Sequence, residues 1–213
     1  MATTLFEFHS RASPGAHADG LALADGRDRE ALRQAALMLE LADAASGPTQ
    51  PALRCHAHKG MAIVLSRLQA YSPAQSHLVQ ALRWASVMGS IDGCADLQCA
   101  LAEVSTSAAE QAKAHGASQD SLRNARDRCR DLALEAARLA PLTTDPHWEV
   151  RVLLRASDVL DRCGDHEDAV LLQQQALALM GLQNAEIQTD TDPALMPTVP
   201  AELWRQTMPG GLM

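Results

Sequence analysis

Apolar residues recur at steps of three and four through most of this chain, and no stretch alternates at a step of two for the length of a strand. The pattern is clearest over 146–180. There Trp148, Val152, Leu153, Ala156, Val159 and Leu160 form one helical stripe, and Ala169, Val170, Leu172, Ala176, Leu177 and Met180 form a second. Asp145 and Pro146 open the first helix. The carboxylate accepts from free N–H groups of the first turn, and proline loses nothing at a position whose N–H has no partner. Gly164 supplies a left-handed stop, and Asp165 is expected to cap the second helix, with Glu167 and Asp168 in its first turn. Two helices joined by so short a turn cannot bury both stripes on each other, so both need neighbours.

The same signals divide the rest of the chain. Helices are predicted at about 28–45, stopped by Ser46-Gly47-Pro48, at 51–69, at 73–88, stopped by Gly89, and at 92–115. A fifth is capped by Ser118 and ends at Pro141, ahead of the hairpin just described. A long connection between the fourth and fifth helices is expected to explain an unusually wide spacing there. Residues 1–27, with Phe6, Phe8 and Pro14, read as a flexible arm. Residues 182–213 hold Pro193, Pro197, Pro200 and Pro209 and read as a tail, in which Leu203 and Trp204 are expected to cover the apolar edge of the last helix.

Gly164, Ala169, Ala176 and the run GDHEDAV resemble a tetratricopeptide (TPR) repeat: a glycine at the turn, a small residue one turn into the second helix, and another seven later. Small residues at those sites let helices approach closely. Gln173 stands where the family places a large residue, Ser157 beside Ala156 where it places a small one, and Gly181 where it closes on proline. The same spacing returns in Ala35-Leu39-Ala42, in Ala74-Leu78-Ala81, and in Cys129-Ala133-Ala136, which Pro141 follows. The steps between them are 39, 55 and 40 residues.

Over 28–181 the resemblance implies an all-α, TPR-like array of about seven antiparallel helices, an α-solenoid with a period near forty, similar to TPR-like modules of bacterial regulators. Gly60, mid-helix, would then let a partner helix pack close. In such arrays the first helix of each hairpin lines a concave groove. By that resemblance Arg151 and Arg155 match the two basic residues that clamp a peptide carboxylate in chaperone-tail-binding repeats. Arg54 and His58 take the corresponding face of an earlier helix, Asp158 and Arg162 extend the set, and Met61, Val64 and Leu65 add apolar contacts. Ala57 and Met61 stand where the full clamp has polar residues, so what is implied is an anion-accepting groove.

Composition narrows the function. Apolar residues make up 47% of the chain but aromatics only 3%, which suits closely packed helices rather than a β-sandwich. A net charge of −8 disfavours nucleic acid and anionic membrane as partners. No apolar run reaches membrane-spanning length, and the N-terminus lacks the basic and apolar regions of a secretory signal. Five cysteines without framework spacing read as reduced thiols of a cytoplasmic protein packed as small apolar residues. Cys55-His56-Ala57-His58 has metal-site composition, but on a helix the two histidines point ~200° apart, and Cys55 with His58 leaves a structural zinc site two ligands short. No metal or other cofactor is expected.

No phosphate loop, HExxH, GxSxG or paired-carboxylate pattern appears. Arg123, Arg126 and Arg130 share a helix face on which Asp127 is expected to pair with Arg123 and Arg130. The resulting expectation is a non-catalytic adaptor that binds another protein or peptide. The alternatives are a self-assembling or sensory domain, including a homodimer, that regulates a signalling enzyme, and an all-helical enzyme.

Overall fold

The computed structural model describes residues 26–189, with side chains as far as Gly181. Residues 1–25 of the expected 1–27 arm and the cap formed by Leu203 and Trp204 lie outside the described residues, and Gly26 and Arg27 belong to the first helix. Seven α-helices and no strand are found among those described: α1 (Gly26–Ala44), α2 (Gln50–Arg67), α3 (Tyr71–Val87), α4 (Ile91–Ala114), α5 (Gln119–Leu139), α6 (Pro146–Cys163) and α7 (His166–Thr189). One turn of 3₁₀-helix, Ala140–Leu142, carries α5 toward α6.

Local chemistry sets these boundaries. Ser90, Ser118 and Asp145 each accept a first-turn N–H, from Gly93, Ser121 and His147 respectively. Four helices end in one hydrogen-bonded wrap, in which the N–H just past a left-handed residue reaches a carbonyl five positions back. Ala70 donates to Leu65, Ser90 to Ala85, Ala117 to Ala112 and Asp165 to Leu160. Glycine fills the left-handed position at Gly89, Gly116 and Gly164, but after α2 it is Gln69, with φ of 58°. This shared stop accounts for how evenly the chain folds back.

Several expectations shift. The connection from α4 to α5 is short, only residues 115–118, and the wide spacing comes from the helices themselves, 24 and 21 residues long. α7 continues through Gly181 to Thr189, because a single glycine is tolerated in a helix and the first proline comes later, at 193. The Asp165 carboxylate pairs with Arg130 on α5, which also bonds Asp168 at 2.8 Å. Arg130 is thereby taken across to α7 and does not pair with Asp127.

Consecutive helices pack on one another, and α4 also packs directly on α6. The core is a chain of overlapping clusters. Met61, Leu65 and Ala74 join α1, α2 and α3; Leu78, Ala81, Leu97 and Leu101 carry the core to α4; Cys99, Ala136, Leu153 and Ala176 carry it through α5 and α6 to α7. The small residues of the recurring spacing lie at its contacts. Ala74, Ala81, Ala133, Ala136 and Ala176 are 0% exposed, and Leu78, Cys129, Ala156 and Ala169 are buried with them. Gly60 does not share this role: a Cβ there would meet nothing within 4 Å. Its lack of a side chain serves no close packing.

Candidate functional site

The face implied by the resemblance runs across α2, α4 and α6. α4 and α6 run parallel, and three side-chain contacts from α4 to α6 and the residues just before it keep one sequence separation. Asp92 accepts from Thr144, Glu103 from Arg155 and Glu110 from Arg162, each pair 52 positions apart. The carboxylates Glu103 and Glu110 are seven apart, as are their arginines, so two turns of each helix bring the ion pairs onto one face.

Arg155 uses all three of its nitrogens. Its Nε and one terminal nitrogen grip Glu103 at 2.6 and 2.9 Å, and the other terminal nitrogen donates to Asp96 at 2.7 Å. Lys59 of α2 donates to the second oxygen of Asp96 at 2.5 Å. Burial alone would raise the Asp96 pKa, but the Lys59 hydrogen bond and the charges of Lys59 and Arg155 hold it below the usual carboxylate range. Arg155, although burial opposes its charge, is driven further toward the charged form by Glu103. Asp96 is thus a buried anion held between cations from two helices. Sequence reading missed it, since Asp96 belongs to no motif and its partners lie 37 and 59 positions away on other helices.

These contacts correct the anion-groove expectation residue by residue. Arg155 already holds two carboxylates through all three of its nitrogens, so its charge is met within the fold. Arg162 grips Glu110 at 3.0 and 2.9 Å and lies 3.8 Å from Asp158. Arg54 lies 3.2 Å from Asp43 of α1, with its guanidinium 4.9 Å over the Trp84 ring. The Nδ1 atom of His58 is 2.9 Å from that of His77, and burial lowers the His58 pKa, with Asp43 opposing and Arg54 adding to the shift. Met61 and Leu65 are core residues. Asp158 pairs with Arg162 and not with Arg155.

Arg151 alone of this set stays on the surface without a carboxylate partner. It is exposed, with its guanidinium 4.9 Å over the Trp148 ring, and Leu154 one turn along α6 is 40% exposed. The arrangement is a rigid polar lattice across three helices with a small cationic–aromatic–aliphatic patch at one edge, Arg151, Trp148 and Leu154. Cys55 is buried and His58 faces His77, so the Cys-His-Ala-His run does not converge. Among the described residues no group of three or more histidine, cysteine or acidic side chains could hold a metal ion, and no helix is long and apolar enough to cross a membrane.

No family model matches the chain, and no curated protein does. Among solved structures it is similar to the one described as "Crystal structure of BtubC (BKLC) from P. vanneervenii", at 16% identity over 75% of each chain with a TM-score of 0.34. A likeness that loose carries no weight for fold or function.

Proposed function

We propose that this chain is a non-catalytic protein–protein interaction module, a TPR-like helical array that binds a partner peptide or helix across the exposed side of α6. The observation that carries the reading is the parallel seating of α4 and α6, with the recurring small residues buried on the alternate helices α1, α3, α5 and α7. α4 and α6 pack side by side, which suits a continuous exposed face. Recognition rests on Arg151, Trp148 and Leu154: a cation over an aromatic ring beside an aliphatic contact, the residue types that carry interface energy when desolvated. The free thiols of all five cysteines support a cytoplasmic setting.

The test is affinity capture from the source lysate with the wild type and with Arg151→Glu/Leu154→Asp as baits. A prey lost only with the variant, at unchanged helical circular dichroism, supports the reading. A prey retained by both removes α6 as the binding face.

Self-assembly is the second reading, favoured by exposed apolar side chains on both outer helices. Leu37, Met38 and Leu41 stand out on α1, and Val170, Leu171, Leu177 and Met180 on α7. Light scattering over a hundredfold concentration range tests it: a rising mass supports self-assembly, and a constant monomer mass removes it.

A further inference from the structure

Away from the α6 patch, a cavity of about 610 Å³ opens where the C-terminal end of α4, the first turns of α5 and the C-terminal end of α6 meet. That volume lies in the range of small-molecule sites, roughly 300–1,000 Å³. Short side chains leave the room. Thr106, Cys129 and Cys163 are buried in its wall, and Ala109 and Ala117 stand beside them. The long cationic side chains that line it are exposed: Lys113 of α4, Arg123 and Arg126 of α5, and Arg162 of α6.

The charges of this lining do not cancel. Glu110 is its one acidic residue, and Arg162 grips it at 3.0 and 2.9 Å. Among the described residues no carboxylate pairs with Lys113, Arg123 or Arg126, and the expected pairing of Asp127 with Arg123 does not form. Arginines that bridge helices elsewhere are met by acids: Arg54 by Asp43, Arg130 by Asp165, Arg155 by Glu103. Three cations gathered at one concavity of a chain with net charge −8 repel one another, and a bound anion relieves that repulsion. The backbone does not oppose this. The last carbonyls of α4 are taken by its own C-terminal wrap, in which Gln111 accepts from His115, Ala112 from Ala117 and Lys113 from Gly116. α5 begins at the cavity with Gln119 and brings the positive end of its dipole there, while Asp120 of the same turn is not part of the lining.

We infer that this cavity binds a small organic polyanion, a molecule carrying two or more phosphate or carboxylate charges. Arg123 and Arg126 offer planar forks that match oxyanion geometry, and Lys113 supplies a point charge from α4. No aromatic side chain is among the lining residues, so recognition rests on charge and not on ring stacking. The ligand draws cations of α4 and α5 onto one molecule and stabilises the folded chain by mass action.

The test is isothermal titration of the full chain at low salt with inorganic pyrophosphate, with citrate, and with acetate as a monoanion control. Saturable binding of pyrophosphate or citrate is expected, with none of acetate, and the tighter of the two tells phosphate from carboxylate chemistry. Arg123→Gln/Arg126→Gln weakens that binding at least about tenfold at unchanged helical circular dichroism. Arg83→Gln/Arg128→Gln removes the same charge from exposed positions outside the lining and leaves the affinity within about twofold. No saturable binding of either polyanion at about 1 mM overturns the inference, as does an equal loss of affinity in the two double variants.

Discussion

Asp96 divides the molecule into two seams that solve one problem differently. On its α6 side the helices are close. Cys99 donates to the Val152 carbonyl at 3.7 Å, Ala95, Cys99 and Val152 are buried together, and Arg155 spans Asp96 and Glu103 with only 22% of its side chain exposed. On the α2 side the same carboxylate is reached by the long side chain of Lys59, which is 38% exposed. A planar guanidinium with fixed donors holds two carboxylates in one orientation, whereas an ammonium on a flexible stem holds one. The α4–α6 seam is therefore the rigid one, and the arginine that sequence resemblance offers to a ligand is built into it.

The sharpest way to break this contrast is to remove Arg155. Arg155→Ala leaves Glu103 unpaired and the buried Asp96 with Lys59 alone, and is expected to cost about 2–3 kcal/mol in urea unfolding, below the full penalty of a wholly buried pair because the site is partly open. A cost under about 0.5 kcal/mol would show the network to be ornamental. Acid titration probes the same network without mutation. The Asp96 pKa is depressed in the fold, so its contribution is present above about pH 4 and is lost as pH falls below that.

His58 is also depressed, so unfolded chains take up its proton first and stability falls as pH drops below about 6.5. The urea midpoint should show two acid-side declines, the upper one missing in His58→Gln. A midpoint that rises between pH 7 and 5 would contradict the account. Lys59→Ala is expected to cost about 1 kcal/mol or less, since its charge is better hydrated and Arg155 still holds Asp96. Smallest, and opposite in sign, is Gly60→Ala. Open space around this helical position leaves only the backbone entropy of glycine, so the variant should be about 0.5–1 kcal/mol more stable. Destabilisation there would restore the close-packing role.

Much of the fold is legible in the chain because its signals are local. Ser118, Asp145 and Gly164 act on their own turns, and the spacing of Ala74, Leu78 and Ala81 needs only the helical period to place them on one buried face. The end of α7 was obscured by Gly181, a residue that stops a helix in one context and is tolerated in another. The candidate site was legible only as a set of helix faces. Which arginine is free depends on residues 52 positions away on another helix, and no local rule connects Arg155 with Glu103. Arg151 and Arg155 are four apart on one helix and read alike in sequence, yet one stacks on Trp148 at the surface and the other is enclosed by acids.

The central claim is that Arg155 serves the fold and Arg151 serves the partner. Arg151→Leu and Arg155→Leu, compared side by side in thermal melting and in lysate capture against the wild type, test it most directly. The account predicts that Arg155→Leu lowers the melting temperature by several degrees, whereas Arg151→Leu melts like the wild type and loses the captured prey. A stable Arg155→Leu protein that has lost the prey, beside an Arg151→Leu protein that keeps it, would contradict the account.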